Sequence, residues 1–216
     1  MEIVNLGKTN SIFNQYIAEI RDENIQKDSM RFRRNCERMG EIFAYEISKR
    51  LDYVDQEITT PLGNSNINLL FEQPVLTTIL RAGLPVHQGF LNYFDKAENA
   101  FVSAYRKHHK DGSFDIELEY LASPDLNDKT IILSDPMLAS GSSIVVTYKA
   151  LLEKGNPKKI HIAILIASRQ GLEYVKRFLP ENTTIWVGAI DEELTAQSYI
   201  VPGLGDAGDL AYGPKE

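Results

Sequence analysis

Ile131-Ile132-Leu133-Ser134-Asp135-Pro136-Met137-Leu138-Ala139-Ser140-Gly141-Ser142-Ser143-Ile144 is the stretch on which the reading of this chain turns. An apolar run ends at an acid, a loop of small residues follows, and a helical pattern opens from about residue 142. The run does not alternate with polar residues, so it reads as a strand buried on both faces, as in parallel sheets covered by helices. The unit recurs on either side. PVLTTIL (74–80) leads into a helix from about 84, and KKIHIAILIA (158–167) into one near 170–178. AFVSAY (100–105), FDIELEYL (114–121) and TTIWVGAI (183–190) supply further strands. Strands alternating with helices predict an α/β fold: an open, mainly parallel twisted sheet flanked by helices.

Working outward, the first fifty residues read as helices. Ile12, Tyr16, Ile17 and Ile20 recur at helical spacing, as do Met39, Ile42, Phe43 and Ile47 in a segment that Asp28 or Ser29 would cap. Weak strand signals near 53–60 and 66–71 are split by Pro61 and Gly63. At the other end, residues 191–216 are rich in glycine and lie outside the repeating pattern. They read as an ordered tail whose removal should spare the core. The 216 residues suit a single domain over 1–216.

Composition narrows the classes of function. The net charge of −7 and pI of about 5.2 disfavour nucleic acid as a partner, since such domains carry a basic face. Cys36 is the lone cysteine, so no intrachain disulfide forms, and a cytoplasmic setting fits. No Cys/His cluster has zinc spacing. The start, MEIVNLGKTN, does not read as a signal peptide, and no apolar run approaches the roughly 20 residues that a membrane span needs.

Ligands of open α/β sheets bind at the carboxyl ends of strands, so the loops after 80, 134 and 167 come first. Small residues after Asp135 let backbone N–H groups turn inward, the helix start adds partial positive charge, and Ser140, Ser142 and Ser143 add hydroxyls. That suits a phosphate monoester, and the preceding acid suits vicinal hydroxyls beside it, as in a ribose 5-phosphate. Taken alone, the segment fits a plain strand-to-helix turn equally well. A second strand ends at Arg81-Ala82-Gly83, where an arginine fork suits phosphate oxygens and an exposed strand-end arginine is an equal reading. A third segment, residues 104–112, holds Arg106, Lys107, His108, His109 and Lys110 before Gly112. It reads as a hairpin or a mobile arm over a polyphosphate; for His108, His109 and Lys110 the solvated hairpin is favoured. The adjacent histidines have no third ligand near in sequence, so no metal site is assigned. The fourth segment, YIVPGLGDAGD (199–209), forces an irregular backbone suited to the edge of a flat heterocycle; a surface loop is the plainer reading, though one this apolar at its start is unusual.

Together, residues 79–84, 104–106, 135–143, 190–191 and above all 199–209 resemble the uracil phosphoribosyltransferases, in the right order over most of the chain. The Asp135-Pro136 pair stands where most related phosphoribosyltransferases have two acids. Ser140 replaces a usual Thr, Ser142 a usual Gly, and Leu210 a common basic residue; Ser142 would narrow the loop if that position needs positive φ. The resemblance implies a type I phosphoribosyltransferase-like fold with a hairpin arm and a C-terminal base-binding hood over about 191–216. It also implies transfer of the 5-phosphoribosyl group of phosphoribosyl pyrophosphate (PRPP) to N1 of uracil, giving UMP and pyrophosphate in pyrimidine salvage.

By the same resemblance, Arg81, Arg106, Asp135 and Asp206 are the catalytic set. PRPP is met by Arg81, Ala82, Gly83, Arg106, Asp135, Pro136, Met137, Leu138, Ala139, Ser140, Gly141, Ser142, Ser143 and Asp206. Uracil is met by Ile200, Gly205, Asp206 and Ala207. Mg²⁺ is expected to arrive held mainly by the substrate rather than by protein ligands. A homodimer or higher homo-oligomer follows, with GTP as a candidate effector and no nucleic-acid or membrane partner. Two other readings stand beside this one: a regulator on the same fold, either catalytically weak and PRPP- or UMP-binding or an RNA-binding attenuator, and a phosphoribosyltransferase for purines or orotate. The uracil-type tail argues against the second.

Overall fold

The computed structural model describes residues 1–108 and 114–214; over 104–108 and 114–117 it describes the backbone alone. The chain runs β1 (Glu2–Asn5), α1 (Ile12–Arg21), α2 (Ser29–Ser48), β2 (Tyr53–Thr60), β3 (Gly63–Leu70), β4 (Val75–Leu80), α3 (Leu84–Leu91), β5 (Asn99–His108) and β6 (Phe114–Ala122). It continues through β7 (Thr130–Leu138), α4 (Ser142–Leu151), β8 (Lys159–Ser168), α5 (Arg169–Val175), β9 (Thr183–Asp191), β10 (Glu193–Leu194), β11 (Ile200–Val201) and α6 (Ala207–Tyr212). Seven strands make one sheet in the order β1-β9-β8-β7-β4-β5-β6. Every neighbouring pair is parallel except β5 with β6.

The continuous apolar runs split between the two faces because successive side chains of a strand point opposite ways. Ile131, Leu133, Ile160, Ile162, Ile164, Ile185 and Val187 pack with Ile144, Val145 and Leu151 of α4 and Leu172 and Val175 of α5. Their alternates Ile132, Ala163, Leu165 and Trp186 pack with Phe13 and Ile20 of α1, Phe32, Met39, Phe43 and Ile47 of α2, and Val86 and Phe90 of α3. Each large apolar side chain buried in this way stabilises the fold by roughly 1.5–3 kcal/mol, so strands in a two-sided core hold their register firmly. Asp28 caps α2, accepting from the Arg31 N–H at 3.0 Å.

Three expectations change. The first fifty residues are not all helical: β1 adds a parallel edge strand, Ile3 opposite Ile185, too short for periodicity to reveal. The ribbon β2–β3 begins its second strand at Gly63, so the polar run from Asn64 to Asn66 is strand after all. Ladder pairing with Glu57, Ile58 and Thr59 carries residues whose own preference is for turns. The tail also does not lie apart from the core. Ile200, Leu204, Ala207 and Ala211 are buried in the cluster that α1, α2 and α3 form with the sheet, so its removal would open that core.

Candidate functional site

Parallel pairing brings the carboxyl ends of β4, β7, β8 and β9 to one edge of the sheet. Strand β7 runs further than expected. Asp135 pairs opposite Ile164, Met137 opposite Ile166 and Leu138 opposite Ala167, with Pro136, which has no N–H to give, between them. Asp135 to Leu138 are therefore strand, and the loop proper is only Ala139 to Gly141. Asp135 is buried, and burial pushes its carboxyl from the ordinary 3.8 up to about 7, against a hydrogen bond from the Met137 N–H that favours the charged form.

The loop turns at Gly141, whose φ of +82° is left-handed. A side chain there would also stand 2.7 Å from Val175 Cγ1 and 2.9 Å from the Gly171 carbonyl. Ser142 is the first residue of α4, and the non-glycine residues with positive φ are Asp128 and Ser198 among the described residues. The serine at 142 therefore sits in ordinary helical backbone, and the concern that it narrows the loop falls away. Ser140 Oγ lies 3.1 Å from Ser142 Oγ and accepts from the Ser142 N–H at 3.4 Å.

The loop after β8, which carries none of the expected ligand contacts, braces this one. Ser168 caps α5, accepting from the Gly171 N–H at 2.8 Å, and donates its hydroxyl to the Ala139 carbonyl at 2.5 Å. Gly171 approaches that carbonyl too closely for any side chain. These two residues were missed in the sequence, although Ser168 three residues before Gly171 has the spacing of a cap.

After β4, Gly83 is needed for space, not for unusual backbone. Its φ is −71°, and a side chain would meet the Ile79 carbonyl at 2.7 Å and the Ser134 carbonyl at 2.9 Å. The loop after β4 is thereby packed against β7 at Ser134, next to Asp135, and Thr78 Oγ1 of β4 donates to the same Ser134 carbonyl at 3.3 Å. Arg81 reaches the tail: its Nη2 is 3.3 Å from Asp209 Oδ1 and 3.3 Å from the Gly213 carbonyl. A side chain on Gly208 would stand 3.8 Å from Arg81 Nη2 and 4.0 Å from Ala82 Cβ, so α6 begins directly over the Arg81 loop. Asp206 caps α6, accepting from the Asp209 N–H at 3.0 Å. Gly205 has a φ of +93° and open space before it.

Arg106 lies on β5, its backbone opposite Ile116 and three residues past Ser103, which pairs with the end of β4 at Leu80. The strand thus carries it beyond the same edge; its side chain, and residues 109–113 including His109 and Lys110, lie outside the described residues. The structure thus gathers Arg81–Gly83, Asp135–Ser143 and the tail. Beneath the tail is a pair that sequence reading gave no role: Arg21 holds Asp191 with two 2.8 Å bonds.

An open, mainly parallel sheet with acidic, small-residue and arginine loops at its carboxyl edge, a β5–β6 hairpin and an irregular C-terminal hood has the architecture of the type I phosphoribosyltransferases. Comparison with known proteins narrows this. The family model described as uracil phosphoribosyltransferase matches residues 8–214. A uracil phosphoribosyltransferase of Porphyromonas gingivalis is 59% identical over 215 residues, covering 100% of both chains. One of Thermococcus gammatolerans is 36% identical over 202 residues, covering 92% of this chain and 88% of its own. The solved structure of the AQ2163 protein from Aquifex aeolicus superposes with a TM-score of 0.87 at 29% identity, covering 98% of each chain. The chain belongs to the uracil phosphoribosyltransferase family.

Proposed function

We propose that the protein breaks the bond between ribose C1 and the pyrophosphate of PRPP and forms a bond from that carbon to N1 of uracil, yielding UMP and pyrophosphate. The observation that carries this reading is the packing of the Arg81 loop against β7 at Ser134, next to Asp135, beneath the tail. Asp135 accepts from the ribose hydroxyls, and residues 139–143 cradle the 5-phosphate. Arg81 and Arg106 meet the pyrophosphate, where negative charge grows as the bond breaks. Ile200 and residues 205–207 present backbone to uracil, and Asp206 lies between base and PRPP.

Magnesium fits this donor set. Such an ion takes one or two carboxylates and completes its shell with phosphate oxygens and water. Asp135 is a carboxylate on β7, three residues before its end, and no cluster of three metal-ligating side chains occurs among the described residues. Pyrophosphate and ribose oxygens would hold the ion with Asp135 beside them, and the ion neutralises leaving-group charge when bound. The chain's own contribution is alignment of N1 with C1 and fixed positive charge at the leaving group, so positioning carries most of the rate.

A homodimer or larger assembly, a cytoplasmic setting and GTP as an effector belong to the same proposal. Among the described residues, no helix is long and apolar enough to cross a membrane. Cys36 is buried and its thiol pushed up to about 12 by desolvation, which suits a structural cysteine. The test is direct: the purified protein with Mg²⁺, uracil and PRPP should form UMP. Background product over a broad pH and Mg²⁺ range would leave the regulator reading in its place.

A further inference from the structure

The tail turns at Gly203, and that turn is gripped from below. Asp191 ends β9 and is 8% exposed; Arg21 is the last residue of α1. Arg21 Nη1 donates to Asp191 Oδ2 and Nη2 to Oδ1, both at 2.8 Å. The same Asp191 Oδ2 accepts from the Gly203 N–H at 3.0 Å, and Arg21 Nη1 also donates to the Gly203 carbonyl at 3.0 Å. Both polar groups of one peptide residue are therefore tied to a bidentate ion pair. Gly203 has a φ of +53°, and a side chain there would run into the Ile200 carbonyl, so only glycine offers its backbone to the pair in this way.

We propose that Arg21 and Asp191 are positioning residues for the base: they fix the turn at Gly203 that sets Ile200 on one side and Gly205–Ala207 on the other. The inference rests on the reading of those residues as the uracil site. Backbone donors and acceptors cannot rotate to follow a shifted ligand, so recognition by them needs placement within about 0.5 Å. The pair is not what docks the tail. Leu204, Ala207 and Ala211 are buried in the core, and Arg33 Nη1 donates to the Ala211 carbonyl at 2.6 Å. Loss of the pair leaves α6 in place and frees the turn before it. The Asp135 loop is braced separately, by Ser168 and Gly171.

The test compares Arg21→Gln, Arg21→Lys, Asp191→Asn and Gly205→Ala with the unaltered full chain, measuring KM for uracil and for PRPP, kcat and thermal unfolding. Arg21→Gln is expected to raise KM for uracil about tenfold to a hundredfold, the scale a misplacement of about 1 Å costs. KM for PRPP should stay within about twofold, and Arg21→Lys should recover part of the loss, since it restores the charge but not the fork. Asp191→Asn, which keeps an acceptor for the Gly203 N–H, supplies the answer should Arg21→Gln fail to fold. An unchanged uracil KM in the folded Arg21 and Asp191 variants, or an equal rise for both substrates, overturns the inference. Gly205→Ala reports on the site itself: its new methyl meets no protein atom, and the strain it puts on a backbone at φ +93° falls on the turn that faces the base. If it raises uracil KM while the pair variants do not, the pair alone is misread. If it too is silent, the base site is misplaced and the inference falls with it.

Discussion

Asp135→Asn should make the free protein more stable while making it a poorer enzyme, and the gain should depend on pH. The carboxyl titrates at 3.8 in the unfolded chain and at about 7 when folded, chiefly because burial disfavours its charge. Its folded value is raised, so its stability is fully present below pH 3.8, is lost as pH rises, and is gone above about pH 7. The difference corresponds to about 4 kcal/mol at roughly 1.36 kcal/mol per pH unit. Asparagine keeps the shape and carries no charge, but its buried amide N–H₂ asks for donor partners that the carboxyl did not need, which returns about 1 kcal/mol. At pH 8 the variant should be about 3 kcal/mol more stable, or roughly 6–12 °C in Tm for a chain of this size. Urea unfolding of both proteins from pH 5 to 8.5 checks this, because groups common to both cancel in the difference. That difference should be small at pH 5 and level off above pH 7. In the same preparation kcat/KM should fall at least about tenfold, since charge-assisted bonds to the ribose hydroxyls are roughly twice as strong as neutral ones. A stability difference that is flat across pH, or a variant less stable at pH 8, would refute the claim that Asp135 holds a buried charge in reserve for its ligand.

Other outcomes follow from the same geometry. Ser168→Ala should cost about 1 kcal/mol through the lost α5 cap and raise KM for PRPP by freeing the Ala139 carbonyl, with KM for uracil unchanged; steady-state kinetics with each substrate varied decides it. Arg106→Ala should weaken inhibition by pyrophosphate together with catalysis, and an unchanged inhibition constant would remove Arg106 from the leaving-group site. Gly141→Ala should destabilise by about 1–3 kcal/mol from its left-handed backbone alone, read as a lower urea midpoint. Truncation after Gly203 should lower Tm and bind an exposed-surface dye, because Leu204, Ala207 and Ala211 leave the core.

What could be read from the chain and what could not divide along contact range. Ile131 to Leu133 and Ile160 to Ile166 announced two-sided strands because burial on both faces removes polar residues from a local run, and local runs are visible in one dimension. The loops at Arg81–Gly83 and Asp135–Ser143 were likewise visible, since each is a strand end followed by small residues. The reason for Gly83 was not, because the carbonyls that exclude a side chain come from Ile79 and, across the sheet, Ser134. β1 failed for a related reason: four residues carry too little period, and only pairing with β9 makes them strand. The tail shows the limit most clearly. Its glycines marked an irregular path, but what shapes that path is Arg21 and Asp191, 170 residues apart in the chain and 2.8 Å apart in space. Nothing in the local pattern of α1 distinguishes Arg21 from any other helical arginine. Its partner is chosen by the sheet, which carries the end of β9 to the end of α1. The residues proposed to meet a ligand sit in recognisable local segments, whereas the residues that hold those segments still are supplied by the fold.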